Sequence, residues 1–318
     1  MSDSLIELFD FQDAPYALQT YYCYVRAWVE KITKLYGQPT TCLYKIKDEM
    51  MKSKTIQKIQ GGRTLDKDIV AAYTRGKLTL KAMDTFPIKE NKELAPTANL
   101  WLPVQAYYAI HGVGLATIIS LGQAMPNDHR AFRSVFSDIS EKYLPEPFNS
   151  KCRGGPNDQQ FVFDNLKTIM KNVKQQSNLS NSKYANIESL LGKCLSTTRR
   201  RFLDELFDKE RRKSIRRGKK RRNLSRNAKQ LITEKLHPTT VTDFLYRMRI
   251  RSNYEDPDIH LYASDKQAYE AVRHYEDLLF LTQAIVGSLS VIMLRKIGKQ
   301  AMDSIESRFT KATEAVSC

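Results

Sequence analysis

Cysteine is scarce and scattered in this chain. Its five residues, Cys23, Cys42, Cys152, Cys194 and Cys318, are an odd set with no Cys-x-x-Cys pair and no Cys/His cluster, so neither a disulfide framework nor a structural metal is expected. Glycine (13) and proline (11) are few in 318 residues, which argues against the many tight turns of a sandwich or barrel. A cofactor loop is also missing: Gly61-Gly62-Arg63 reads as a plain turn, because a phosphate-cradling loop needs a strand before it and a helix after it. A membrane span needs roughly 20 apolar residues. Leu278 to Leu294 falls short of that length, and Thr282, Gln283, Gly287, Ser288 and Ser290 interrupt it, so packing within a core is the expectation. The opening residues Met1 to Asp13 carry acidic groups rather than a basic start and an apolar run, unlike a secretory signal. A cytoplasmic protein with no cofactor and no membrane contact is therefore expected.

What is present points to helices. Ala14 to Tyr36 carries apolar residues at helical spacing and stops at Gly37. Leu100 to Met125 is apolar almost all round, the pattern of a central buried helix, with Pro103 suited to its first turn. Shorter helices are expected around Tyr44–Met51, Asp66–Arg75 and Phe132–Tyr143. Phe161 to Lys174 is amphipathic, and helical patterning resumes at Ala185 to Leu206. Thr239 to Ile250 and Ser264 to Lys296 close the chain, Ser264 acting as cap with Gln267 three residues on. The fold class expected is all-α.

Charge is the strongest signal. From Arg199 to Lys229 there are fifteen Lys/Arg against four Asp/Glu, eleven of the sixteen net positive charges of the chain. A solvated helix face does not need such an excess, and its self-repulsion is relieved by a polyanion. Lys219-Lys220-Arg221-Arg222 also fits an import signal, and a membrane-surface helix is the weakest fit, because large apolar residues barely interleave from Arg211 to Arg226. Nucleic acid is the expected partner, gripped by its backbone. The phosphate anchors would be Arg199, Arg200, Arg201, Arg211, Arg212, Arg216, Arg217, Lys219, Lys220, Arg221, Arg222 and Arg226.

Three further segments carry a resemblance. They are Gln105-Ala-Tyr-Tyr-Ala-Ile-His-Gly, then Asp128-His-Arg-Ala-Phe-Arg-Ser-Val-Phe, and last Arg247-Met-Arg-Ile-Arg-Ser-Asn-Tyr-Glu-Asp before a long helix. In this order they resemble the HEPN superfamily, helical-bundle domains of RNA-binding and RNA-cleaving proteins. The resemblance covers roughly 14–36, 101–140 and 239–294. It implies an up-and-down bundle, often a homodimer, and an RNA-directed role in a prokaryotic defence or toxin-like system. On that reading residues 1–145 form the first part of the bundle with a lysine-rich insertion at about 41–95. Residues 146–238 form a basic helical insertion, and 239–318 close the bundle.

Metal-independent RNA cleavage needs a base at the 2′-hydroxyl and a cation at the phosphate. Arg249, Arg251, Tyr254 and His260 bring those types within twelve residues, and are the candidate catalytic set. Arg251 and His260 are separated by eight residues, where cleaving members of the family use four to six. The bland reading stands beside this: arginines paired with Glu255 or Asp256, Tyr254 in the core, His260 in a loop. His111 reads as a core histidine and His129 as an exposed cap. The rival function is a non-enzymatic dimerising regulatory or assembly module whose basic segment binds an acidic protein. A basic run beside the Arg249/Arg251 loop favours RNA; one on the opposite face favours the module.

Overall fold

Helix N-termini in this chain are set by local capping chemistry. The Asp66 carboxylate accepts from the backbone N–H groups of Asp68 and Ile69 at 3.1 and 2.9 Å. Asp128 accepts from Ala131 at 2.7 Å, and Ser225 from Ala228 at 3.2 Å. Each satisfies a donor that the first helical turn leaves without a partner. The computed structural model describes residues 5–7, 16–88, 90–155, 160–175, 184–216, 223–255 and 268–316.

The elements, in chain order, are β1 (Leu5–Glu7), α1 (Tyr16–Tyr36), α2 (Pro39–Lys52), α3 (Lys54–Gln57) and α4 (Lys67–Asp84). A 3-10 turn at Lys92–Leu94 leads into α5 (Ala95–Ser120), then α6 (His129–Tyr143). Next come β2 (Lys151–Gly155), β3 (Gln160–Asp164), α7 (Met170–Gln175), β4 (Tyr184–Asn186), α8 (Ile187–Arg216) and α9 (Arg226–Lys235). The chain closes with α10 (Val241–Ile250), a π-helical turn at Arg251–Glu255, α11 (Ala268–Ile297) and α12 (Lys299–Val316). The protein is an all-α helical bundle. Among the described residues its strands make two antiparallel pairs, β1 with β4 and β2 with β3.

Helix α5 is the axis of the bundle and packs against α4, α11 and α10. The expected central helix is thus present, but it begins at Ala95, not near Leu100. Pro96 occupies the first turn, and Pro103 lies inside the helix, where it cannot donate to the carbonyl of Asn99. The Asn99 side chain is engaged across the core, donating to the Ala271 carbonyl at 2.8 Å and the Tyr22 hydroxyl at 3.2 Å. The close approach of α4 and α5 rests on a glycine pair: a Cβ on Gly112 would fall 2.7 Å from the Gly76 Cα.

The lysine-rich stretch at 41–95 packs into the main core through Cys42, Ile46, Met50, Ile69 and Tyr73, with its lysines largely on the outer faces. The first half of 146–238 joins that core as well, through Phe148, Cys152, Leu191 and Leu195. Strand β2 also holds the start of α10, since Cys152 and Thr239 exchange two backbone hydrogen bonds of 2.9 Å. The stretch at 161–174 divides between β3 and α7, because Phe161-Val162-Phe163 pairs with β2 rather than continuing a helical face. By length and composition, the helical stretches Lys92–Ser120 and Glu270–Ile297 could each cross a membrane; 78% and 72% of their apolar windows are buried inside the fold.

Candidate functional site

Two tyrosines on α5 begin the site. Tyr107 is fully buried, while Tyr108, on the next position of the turn, is 37% exposed. One turn on, the His111 ring lies 5.0 Å from that of His129, which opens α6. The Tyr107 hydroxyl meets Nδ1 of His129 at 3.0 Å, so Nε2 is the ring nitrogen left for proton exchange. Helix α10 supplies the cation: Arg249 is only 7% exposed, donates to the Tyr108 hydroxyl at 2.9 Å, and lies over the rings of Tyr107, Tyr108 and Tyr246 at 5.0–5.7 Å.

The electrostatics follow from that company. Burial pushes the His111 pKa down to about 4, helped by the positive surroundings of His129, Arg75 and Arg249. Burial also lowers His129, with Arg249 and Arg133 acting in the same direction. Both imidazoles are neutral near pH 7 and can accept a proton. Tyr107 is held protonated by its burial, and its hydroxyl oxygen accepts from Nδ1–H of His129, the tautomer that leaves the Nε2 lone pair open.

A buried support lies behind. Arg133 of α6 sits between the rings of Phe202 and Tyr246, 4.4 and 4.3 Å from their centroids, and donates to Asp243 at 2.6 Å. Asp243 is fully buried and takes the backbone N–H of Thr240 at 2.9 Å; His237 Nε2 lies 3.0 Å from its other oxygen. Burial alone would raise the Asp243 carboxyl, but His237, Arg133 and the Thr240 N–H outweigh it and bring it to about 2. Tyr246, gripped by Arg133 on one side, touches His129 and Tyr107 on the other.

Of the four residues expected to act together, the three described ones have different surroundings. Arg249 faces the tyrosine–histidine cluster; Arg251 lies 5.4 Å over the ring of Tyr21, and Tyr254 is 70% exposed. His260 lies outside the described residues. Residues that the sequence assigned to core and cap, His111 and His129, stand with Arg249 instead. The signal was in hand, since Tyr107, Tyr108 and His111 share a helix face and Asp128-His129 opens a helix; their convergence with α10 is tertiary.

The expected phosphate anchors also divide. Arg199 is 2% exposed and spends its guanidinium on the carbonyls of Gly154, Thr233, Leu236 and His237. It ties α8 to β2 and α9 and presents no face to a ligand, a correction to its expected role. Arg200, Arg201, Arg211, Arg212 and Arg226 are exposed. Arg201 pairs with Glu205 and Arg211 with Asp208 at their own helix surface, contacts of little energy in water. The side chain of Arg216 and all of Arg217, Lys219, Lys220, Arg221 and Arg222 lie outside the described residues. Among the described residues no group of three or more His, Cys, Asp or Glu is placed to hold a metal ion.

No family model, no curated protein and no solved structure matches this chain.

Proposed function

We propose that this protein binds RNA and cleaves it without a metal, in an HEPN-like bundle of a prokaryotic defence or toxin-like system. The observation that carries the reading is the convergence of Arg249, His129, His111 and Tyr108. They come from the three sequence segments whose order resembles HEPN proteins, and they bring a neutral imidazole and a buried guanidinium to one half-open surface. On this reading His129 is the base that works with Arg249.

In the reaction, His129 Nε2 takes the proton of a ribose 2′-hydroxyl. The 2′-oxygen attacks the adjacent phosphorus, and the bond from phosphorus to the 5′-oxygen breaks. The products are a 2′,3′-cyclic phosphate and a 5′-hydroxyl whose proton comes from water. Arg249 meets the charge that grows on the phosphoryl oxygens, and partial exclusion of water strengthens that contact. The start of the basic segment supports the same reading: Phe202 of α8 touches Tyr246, so residues about 199–206 pack beside the Arg249 cluster.

The test is incubation of the full chain with labelled single-stranded RNA in excess chelator over a salt series. Salt-sensitive binding with cyclic-phosphate products is the expected result. No binding at low salt would overturn the reading in favour of the assembly module that binds an acidic protein.

A further inference from the structure

A small apolar cluster stands apart from the main core. Phe202, Leu203 and Leu236 are its buried members, with Leu206, Phe207 and Tyr246 packed against them. It joins α8, α9 and α10, and so gives one common footing to two surfaces. On one side is Tyr246, the floor of the Arg249 cluster. On the other is a groove of about 420 Å³ between α8, α9 and the first turn of α6.

The floor of that groove is apolar, from Leu206, Leu231 and Ile232, and its walls are cationic, from Arg130, Lys209, Lys213 and Lys235 against the single carboxylate of Glu210. The four cations are exposed. Arg130 is the residue after His129, so the groove opens within one residue of the proposed base. We propose that this groove carries the sugar–phosphate backbone of the RNA strand whose scissile bond lies at His129 and Arg249. The inference rests on the reading of that cluster as an RNA site and adds a path for the strand.

Charge complementarity selects the occupant. A polyanion threading the groove meets Lys209 and Lys213 on α8, Lys235 on α9 and then Arg130 at the edge of the site. Lys213 pairs with Glu210 at 3.2 Å on the exposed surface, an attachment that a phosphate displaces at little cost. Arg130 and Lys235 lie outside the basic run of 199–229, so the groove adds contacts that the run does not supply.

The experiment is fluorescence anisotropy of the full chain with a labelled oligouridylate over a salt series, for the native protein and for R130Q/K209Q/K235Q. Each phosphate contact removed from a single strand lowers the slope of log affinity against log salt by about 0.7, so the three substitutions together are expected to lower it by about 2. E210K should bind several-fold tighter than native, a gain that an unfolded variant cannot imitate. If the native chain shows salt-dependent binding while the triple variant keeps its slope and E210K gains nothing, the groove is not the path, although the RNA reading survives. If the native chain does not bind at low salt, the RNA reading fails and the groove with it.

Discussion

Arg133 and Asp243, 110 positions apart in the chain, meet at 2.6 Å in a space closed by the rings of Phe202 and Tyr246. The pair joins α6 to α10, and with them the histidine and the arginine of the proposed site.

Breaking that pair one-sidedly leaves a charge buried without its partner. D243N and R133M should each cost about 3–5 kcal/mol of stability, read from the midpoints of urea unfolding. The folded pKa of Asp243 lies near 2, below its ordinary value of 3.8. Its contribution is therefore complete above about pH 4 and is lost as pH falls toward 2. Acid unfolding of native protein and D243N should converge in that window.

Removing the base tests the chemistry without touching the arm. His129→Ala should slow cleavage by about 10²–10⁴-fold and leave RNA affinity within twofold of native. Single-turnover rates and anisotropy measure the two separately. His260→Ala is expected to leave affinity unchanged, and a large loss there would undo the separation of anchor from site.

The pH profile carries the sign of the local field. A base must be unprotonated, and burial with Arg249 and Arg133 lowers the pKa of His129 below the ordinary 6.5. The rate should rise with pH through that lowered value and be level by neutrality. Arg249→Met removes one of the cations, so the His129 ring should titrate at higher pH in that variant. Two-dimensional NMR of labelled histidine detects the change, and an unmoved titration would refute the arrangement. Added oligonucleotide, bringing negative charge, should raise the same pKa in native protein.

Alanine is the better helix former, yet Gly112→Ala should destabilise. Its new Cβ meets the Gly76 backbone at 2.7 Å, and overpacking of about 1–3 kcal/mol exceeds the propensity gain of about 1 kcal/mol. Because His111 is the neighbouring residue, cleavage should fall along with the melting temperature.

The legible part of this protein was its local part. α1, α6, α10 and α11 were visible as apolar patterning, and α5 as a stretch apolar almost all round. The start of α5 misled because Pro103 imitates a first-turn proline while Ala95-Pro96 supplies the real one. β3 hid because Phe161 to Lys174 also satisfies a helical pattern. Arg199 resembled its neighbours in the basic run, and nothing along the chain says that four carbonyls from α9, its following loop and β2 close around it. For the site, Arg249 was recognisable by its motif, whereas His129 was recognisable only as a cap. The crossing of α10 over α5 and α6, which gives it another role, comes from long-range packing that residue spacing does not encode.

Tyr108 and Arg249 are hydrogen-bonded across 141 positions, and that separation has a consequence in time. A ribosome makes α5 and α6 first and must then thread out β2 through α9 before α10 can dock. Throughout that interval both histidines are already synthesised but have no guanidinium to work with. Any activity that needs Arg249 is silent in the nascent chain and in products truncated before α10, so the order of synthesis itself delays the protein's onset until the bundle can close.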